Sequence, residues 1–384
     1  MTNADTPPFS ALVPDFILDA LDSVGLRGDG RLLALNSYEN RVYQVGMEEG
    51  APLVAKFYRP ARWSNAAILE EHAFVEELAQ REIPAVPALR LADGLSLHEF
   101  GGFRFAVFPK QGGRAPELDG KDTLEWMGRF IGRIHAVGAL TPFQARPVQD
   151  IASFGIEPGE FLLAHGFIPD ELAEVYRSVW LQALDGVRRC FERAGAVNTL
   201  RLHGDCHVGN VLWTGDGPHF VDFDDSRMGP AIQDLWMLLS GNRAERGIRL
   251  RYLLAGCETF FDFNPRELHL IEALRTLRLI HYAAWIARRW DDLAHRLQLG
   301  QLRVQRNHRA RRRRAKGSRP RGQRPLRTPH YRDVEVYRRP ALRPDDRIGR
   351  SREACGQHLG QARGRPAERR GDARAPVGHP GLFH

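Results

Sequence analysis

The stretch Leu202-His203-Gly204-Asp205-Cys206-His207-Val208-Gly209-Asn210-Val211-Leu212-Trp213, followed by Phe220-Val221-Asp222-Phe223-Asp224-Asp225, carries two polar clusters about a dozen residues apart. Each cluster sits at the end of a short apolar run, so two neighbouring strands or loops can deliver Asp205, Asn210 and Asp222 to one point. Phosphoryl transfer requires such a set: a carboxylate near the incoming hydroxyl, and hard oxygen ligands that hold Mg2+ against the phosphates. A lone Asp or Asn in a loop is ordinarily a turn former. Three at this spacing, joined by an upstream lysine, point to phosphotransfer.

That lysine lies in Leu53-Val54-Ala55-Lys56-Phe57-Tyr58, an apolar alternating run that reads as a strand. A charge there needs a partner or a ligand, and Lys56 is one of only three lysines before Asp292. The functional reading has Lys56 holding ATP phosphates and held in turn by a glutamate of the next helix, Glu71 in preference to Glu70. The alternative is an edge-strand lysine in water.

Outward from these motifs, Leu12, Phe16, Ile17 and Leu21 predict a short helix within residues 10–26. Strands are expected at 31–36, 41–46, 53–58, near 89–91 and at 103–108, making a five-strand sheet with one helix against it. Ser64 is the expected cap of that helix, 65–81, whose Ile68, Leu69, His72, Val75 and Leu78 share a face. Pro109-Lys110-Gln111-Gly112-Gly113 interrupts the pattern, and helical periodicity then dominates, with helices over 124–137, 169–194, 233–239 and 268–289. The expected architecture is therefore α+β and two-lobed. It comprises a sheet lobe at 1–108, a hinge at 109–113 and a mainly helical lobe at 114–292.

Composition changes past Asp292. Residues 293–384 hold 25 Lys and Arg against 7 Asp and Glu, so the net charge of +8 belongs to this stretch and the body before it is acidic, at −10. No basic body face is needed, which argues against nucleic-acid binding by the folded part. The stretch, with Arg311-Arg312-Arg313-Arg314 and few aromatic residues, cannot bury a core and reads as a disordered or frame-shifted tail. A basic tail that contacts phosphates is the functional alternative. The four cysteines form no CxxC pair, the first residues lack a basic stretch followed by an apolar core, and no 18 consecutive residues are apolar. A cytoplasmic monomer without membrane association is the expectation.

Leu35-Asn36-Ser37-Tyr38-Glu39-Asn40-Arg41-Val42-Tyr43, Lys56, the His-Gly-Asp-x-His-x-x-Asn loop and Val221-Asp222-Phe223-Asp224-Asp225 together resemble the aminoglycoside/choline phosphotransferase superfamily, whose fold is protein-kinase-like. The resemblance spans roughly residues 8 to 292. It implies that Asp205 is the catalytic carboxylate that accepts the acceptor's proton, with Asn210 and Asp222 as Mg2+ ligands and Asp222 part of the catalytic pair. It implies that Ser37, on the first turn, touches ATP phosphate, and that Phe108-Pro109-Lys110 presents backbone to adenine. His203 is expected as the loop's scaffold, and Asp234 as either brace of the loop or cap of its own helix.

The resemblance further implies a serine or threonine on a protein as acceptor, with autophosphorylation, in a bacterial stress response. A kinase of a small amino alcohol, homoserine or an aminoglycoside is the rival, with Tyr282, Trp285 and Trp290 lining its acceptor site. A nucleotide-binding pseudokinase is a third reading, opposed by intact Lys56, Asp205, Asn210 and Asp222. Asp224 and Asp225 have no assigned role, since three carboxylates in four residues repel unless a metal or an arginine neutralises them.

Overall fold

The computed structural model describes residues 8–290; the Arg-rich stretch 293–384 lies outside the described residues. The chain opens with α1 (Pro14–Asp22), then β1 (Gly28–Leu35), β2 (Arg41–Met47) and β3 (Leu53–Phe57), followed by α2 (Asn65–Gln80). Next come β4 (His98–Phe100) and β5 (Phe103–Pro109). These strands form one antiparallel sheet in the order β1-β2-β3-β5-β4.

Alternation sorts the sheet's two faces. Val45, Ala55, Phe57, Phe105 and Val107 pack with Ile17, Ala20 and Leu21 of α1. Burying a side chain such as Phe57 contributes roughly 1.5–3 kcal/mol. The residues between them, Val54, Lys56 and Phe108, face the other way and line a cleft. Ser64 caps α2 as expected, its hydroxyl accepting the Ala67 N–H at 3.1 Å, worth ~1 kcal/mol. Ile68, His72, Val75 and Leu78 are buried, but Leu69 is 46% exposed and does not share their face.

The fifth strand is not where the sequence reading put it. Residues 89–91 form no strand: Pro84 and Pro87 remove donors just before them, and Leu89 makes a single ladder-like bond, donating to Val107 O at 2.7 Å. Instead His98–Phe100 pairs with β5 across a two-residue Gly101-Gly102 turn with φ of 53° and 82°. Such a turn needs positive φ at both central positions, which glycine adopts without strain.

The helical part follows with α3 (Lys121–Gly138), α4 (Glu157–Ala164), α5 (Asp170–Ala194), α6 (Ile232–Trp236), α7 (Arg243–Cys257) and α8 (Ile271–Arg288). Between α5 and α6 lie β6 (Leu200–Leu202), β7 (Val211–Thr214), β8 (Gly217–Phe220) and β9 (Arg227–Gly229). Helix α7 was not expected. It crosses α3 at close range, because a Cβ at Gly128 would lie 2.0 Å from Leu253 O and one at Gly256 2.0 Å from Glu125 O. One continuous core joins Phe74, Val75 and Leu78 of α2 to α3, α6, α7 and the short strands, so the sheet part rests on the helical part through α2. This is the α+β, two-lobed architecture expected from the sequence.

Candidate active site

Two short ladders explain how the polar clusters meet. β7 and β8 form a hairpin that pairs Val211 with Phe220, so Asn210 and Val221 adjoin, and Val221 N–H donates to Asn210 O at 3.0 Å. β6 pairs with β9, Leu202 opposite Arg227, which fixes both ends of the loop between. The dozen-residue spacing is therefore a hairpin's length. Asp222 closes it in a left-handed conformation (φ 61°, ψ 60°), a strained backbone of the kind that collects at functional sites.

His203 is a scaffold. Its Nε2 lies 3.0 Å from Val221 O, its Nδ1 accepts the Asp205 N–H at 3.4 Å, and the ring packs on Phe223. Asp234, 1% exposed, accepts the N–H groups of His203 and Gly204, both at 2.9 Å, and pairs with His135 at 3.3 Å. Of the two roles open to it, bracing the loop is what its contacts perform. Gly204 has φ +84°, and a Cβ there would meet Asp225 O at 2.2 Å, so only glycine fits.

The His135–Asp234 contact makes stability depend on pH. Burial alone would depress His135, but Asp234 and Cys257 outweigh it and raise the ring to about 9. The folded value exceeds the unfolded one, ~6.5, so the stabilisation is complete below pH 6.5 and is lost as pH rises through 9. Urea midpoints between pH 6.5 and 10 are expected to report a loss of up to about 3 kcal/mol, and His135→Gln should flatten the curve. A wild-type curve that is flat there would contradict the pairing.

Lys56, 5% exposed, places Nζ 3.1 Å from Asp222, 3.3 Å from Asp224 and 3.9 Å from Glu71. Burial opposes its charge, but Asp224, Asp222 and Glu71 hold the ammonium protonated well above the usual lysine range. Glu71 is thus the most distant of three partners, drawn off by Arg146 at 2.7 Å. Glu70 does other work, its carboxylate accepting the N–H groups of Gln144, Ala145 and Arg146 at 2.6–3.0 Å.

Lys56 faces Asp222, and arginines neutralise the other two members of the acidic triplet. Arg62 pairs with Asp224 and, at 2.7 Å, with Asp225, and Arg227 also reaches Asp225 at 2.8 Å. Burial would raise the Asp224 carboxyl, yet Arg62 and Lys56 hold it far below the usual range. The buried Arg146 donates to Glu71 and to the carbonyls of Ala67, Asp224 and Ser226, tying α2 to this segment. Arg62 and Arg146 had no signal in the sequence beyond being arginines. Cys206, fully buried, has its thiol pushed well above its usual value, which leaves it unreactive.

A cleft of about 350 Å³ lies between the sheet and the β7–β8 hairpin. Ser37, Val42, Val54, Lys56, Glu71 and Phe108 line it from one side, Asn210, Leu212 and Asp222 from the other. Ser37 Oγ accepts the Asn40 N–H at 3.3 Å, within its turn. The same turn is clasped to α8. Glu39 accepts from Trp285 Nε1 at 2.7 Å and from Arg289 at 2.7 Å, and pairs with Arg59 at 3.0 Å. Trp285 therefore serves the turn, while Tyr282, stacked on it, and Trp290 stay more than half exposed.

Asp205 stands outside the cleft lining. Its side chain is 20% exposed, Arg278 reaches Oδ1 at 2.7 Å and His207 reaches Oδ2 at 3.4 Å. Burial would raise its carboxyl, but the His207 hydrogen bond and the Arg278 charge keep it ionised far below the usual range. Asn210 turns its amide nitrogen to Asp205 O at 3.0 Å, leaving the amide oxygen for another partner. The Asp222 side chain is 54% exposed with one oxygen on Lys56. Two hard oxygen donors at one end of the cleft suit Mg2+, which takes one or two protein ligands and completes its shell from water and phosphate. They do not make a self-sufficient site: among the described residues no group of three or more His, Cys, Asp or Glu could hold a metal ion.

A cleft with a buried lysine, a carboxylate-bearing loop at its mouth and paired oxygen donors on a hairpin belongs to a kinase, and the chain is a member of the phosphotransferase enzyme family, whose model matches residues 31–271. Among its relatives is stress response kinase A of Salmonella typhi, 45% identical over 286 residues, 74% of this chain and 86% of that protein. The serine/threonine protein kinase RdoA of Salmonella typhimurium is 44% identical over the same shares. Two solved structures share the fold. Amicoumacin kinase hAmiN, in complex with AMP-PNP, Ca2+ and Ami, superposes with a TM-score of 0.60 at 20% identity, covering 71% of this chain and 86% of that one. The microcompartment-associated aminopropanol kinase does so at 0.56 and 19%, covering 71% and 88%.

Proposed function

We propose that this chain is an ATP- and Mg2+-dependent serine/threonine protein kinase of a bacterial stress response. The observation that carries the reading is the convergence of Lys56, Asn210 and Asp222 on one cleft with Asp205 just outside it. In this reading Lys56 and Ser37 hold ATP phosphates, Glu71 steadies Lys56, and the Phe108 segment meets adenine. Asn210 and Asp222 hold Mg2+, which offsets the charge developing on the phosphates. Asp205 orients the acceptor hydroxyl and takes its proton. The hinge falls at 109–113, where β5 ends. The protein acceptor and the stress role follow the names of the relatives at 44–45% identity. A cytoplasmic setting accords with the absence, among the described residues, of a helix long and apolar enough to cross a membrane.

The test is transfer of labelled γ-phosphate by the full chain, with ATP and Mg2+, to a generic protein substrate and to a panel of small alcohols. Label on protein serine or threonine is the expected result. Label on a small alcohol alone would replace the protein kinase with a metabolite kinase, and no label on either would leave a pseudokinase.

A further inference from the structure

Besides Asn210, two side chains reach the Asp205 carboxylate, and neither is buried. Arg278, from the middle of α8, is 36% exposed, and His207, from the loop itself, is 40% exposed. Neither lines the cleft proposed for the nucleotide, and both rest on Asp205, the residue an acceptor meets in that reading. On α8 their surroundings are Arg275, one turn back and paired with Glu272 at 3.1 Å, and the exposed Tyr282 one turn on. The nearby Asp225 is already held by Arg62 and Arg227.

This arrangement has two consequences. Asp205 Oδ1, on which Arg278 rests, is buried, so an acceptor hydroxyl reaches the carboxylate at Oδ2, on the His207 side. Arg278 keeps 36% of its side chain exposed while it rests on Asp205, so the free part of its guanidinium can take a second anion without leaving that carboxylate. An arriving ammonium group, in contrast, meets a like charge. Arginine's planar fork also suits carboxylates in two-pronged contact.

We propose that Arg278 selects an anionic acceptor, a serine or threonine in an acidic segment, by offering the exposed part of its guanidinium to a carboxylate of the incoming chain. The inference rests on the phosphotransfer reading above and names the acceptor's charge. The hydroxyl settles on Asp205 Oδ2 and gives up its proton to the Asp205 carboxylate. The hydroxyl oxygen bonds to the γ-phosphorus, and the bond from that phosphorus to the bridging oxygen breaks. The products are a phosphoester and ADP.

The experiment compares two serine peptides that differ only in flanking residues, aspartates in one and arginines in the other, with ethanolamine as a cationic small alcohol. With the full chain, kcat/KM is expected to favour the acidic peptide by about tenfold or more, the worth of one charge-assisted contact. Arg278→Gln should erase that preference, chiefly by raising KM for the acidic peptide. Arg278→Glu should reverse it, and Arg278→Lys should keep part of it. An arginine that only supported the fold would lower both peptides alike. Equal use of both peptides, a preference that survives Arg278→Gln, or ethanolamine as the favoured acceptor would overturn the inference and leave phosphotransfer standing. No transfer to any acceptor would bring down both.

Discussion

Asp205→Asn is expected to lower kcat by about a thousandfold while leaving nucleotide affinity nearly unchanged. A positioned base contributes about 10²–10⁴ to a rate. The amide keeps the side chain's size and can still accept from Asn210, but it can take no proton and loses its attraction for Arg278. Because Asp205 does not line the cleft, ATP should still bind. Asp222→Asn should behave differently, weakening nucleotide binding as well as turnover, since that carboxylate faces the cleft and touches Lys56 at 3.1 Å. Single-turnover phosphate transfer alongside nucleotide titration separates the two effects. An Asp205→Asn enzyme that keeps about a tenth of the wild-type rate or more would remove Asp205 from the role of base.

The second large effect concerns folding. Asp234→Ala is expected to cost about 3–5 kcal/mol, the range for breaking a buried charged pair by deleting one partner. Its carboxylate is the shared acceptor for two buried backbone N–H groups and for His135, and alanine supplies none of these contacts. Asp234→Asn, which retains one oxygen acceptor, should lose less. Urea unfolding monitored by tryptophan fluorescence gives the comparison. A loss under about 1 kcal/mol for alanine would mean that the loop holds its shape without this brace.

The sequence made legible whatever depends on local pattern. Lys56 stood out because an alternating apolar run leaves a lone charge conspicuous, Ser64 because caps obey short-range rules, and the two clusters because a hairpin returns the chain within a dozen residues. What stayed hidden depends on distant partners. Arg62 meets Asp224 across 162 residues and Arg289 meets Glu39 across 250, and no local signal marks which arginine serves which carboxylate. Helix α7 escaped because it buries only Leu253, Gly256 and Cys257, too few positions to draw an apolar stripe. The Gly101-Gly102 pair carries the local signal for the hairpin that β4 and β5 form.

The clasp between Glu39 and the end of α8 is built on charge. Two of the ties that join this turn to the helical part are the Arg289 guanidinium and the Trp285 indole N–H, both on the Glu39 carboxylate. Glu39 and Arg289 keep only 12% and 13% of their side-chain surface exposed, so dissolved salt screens their pair weakly. The first turn of the sheet and the end of α8 should therefore stay joined in salt that would part an ion pair on the surface.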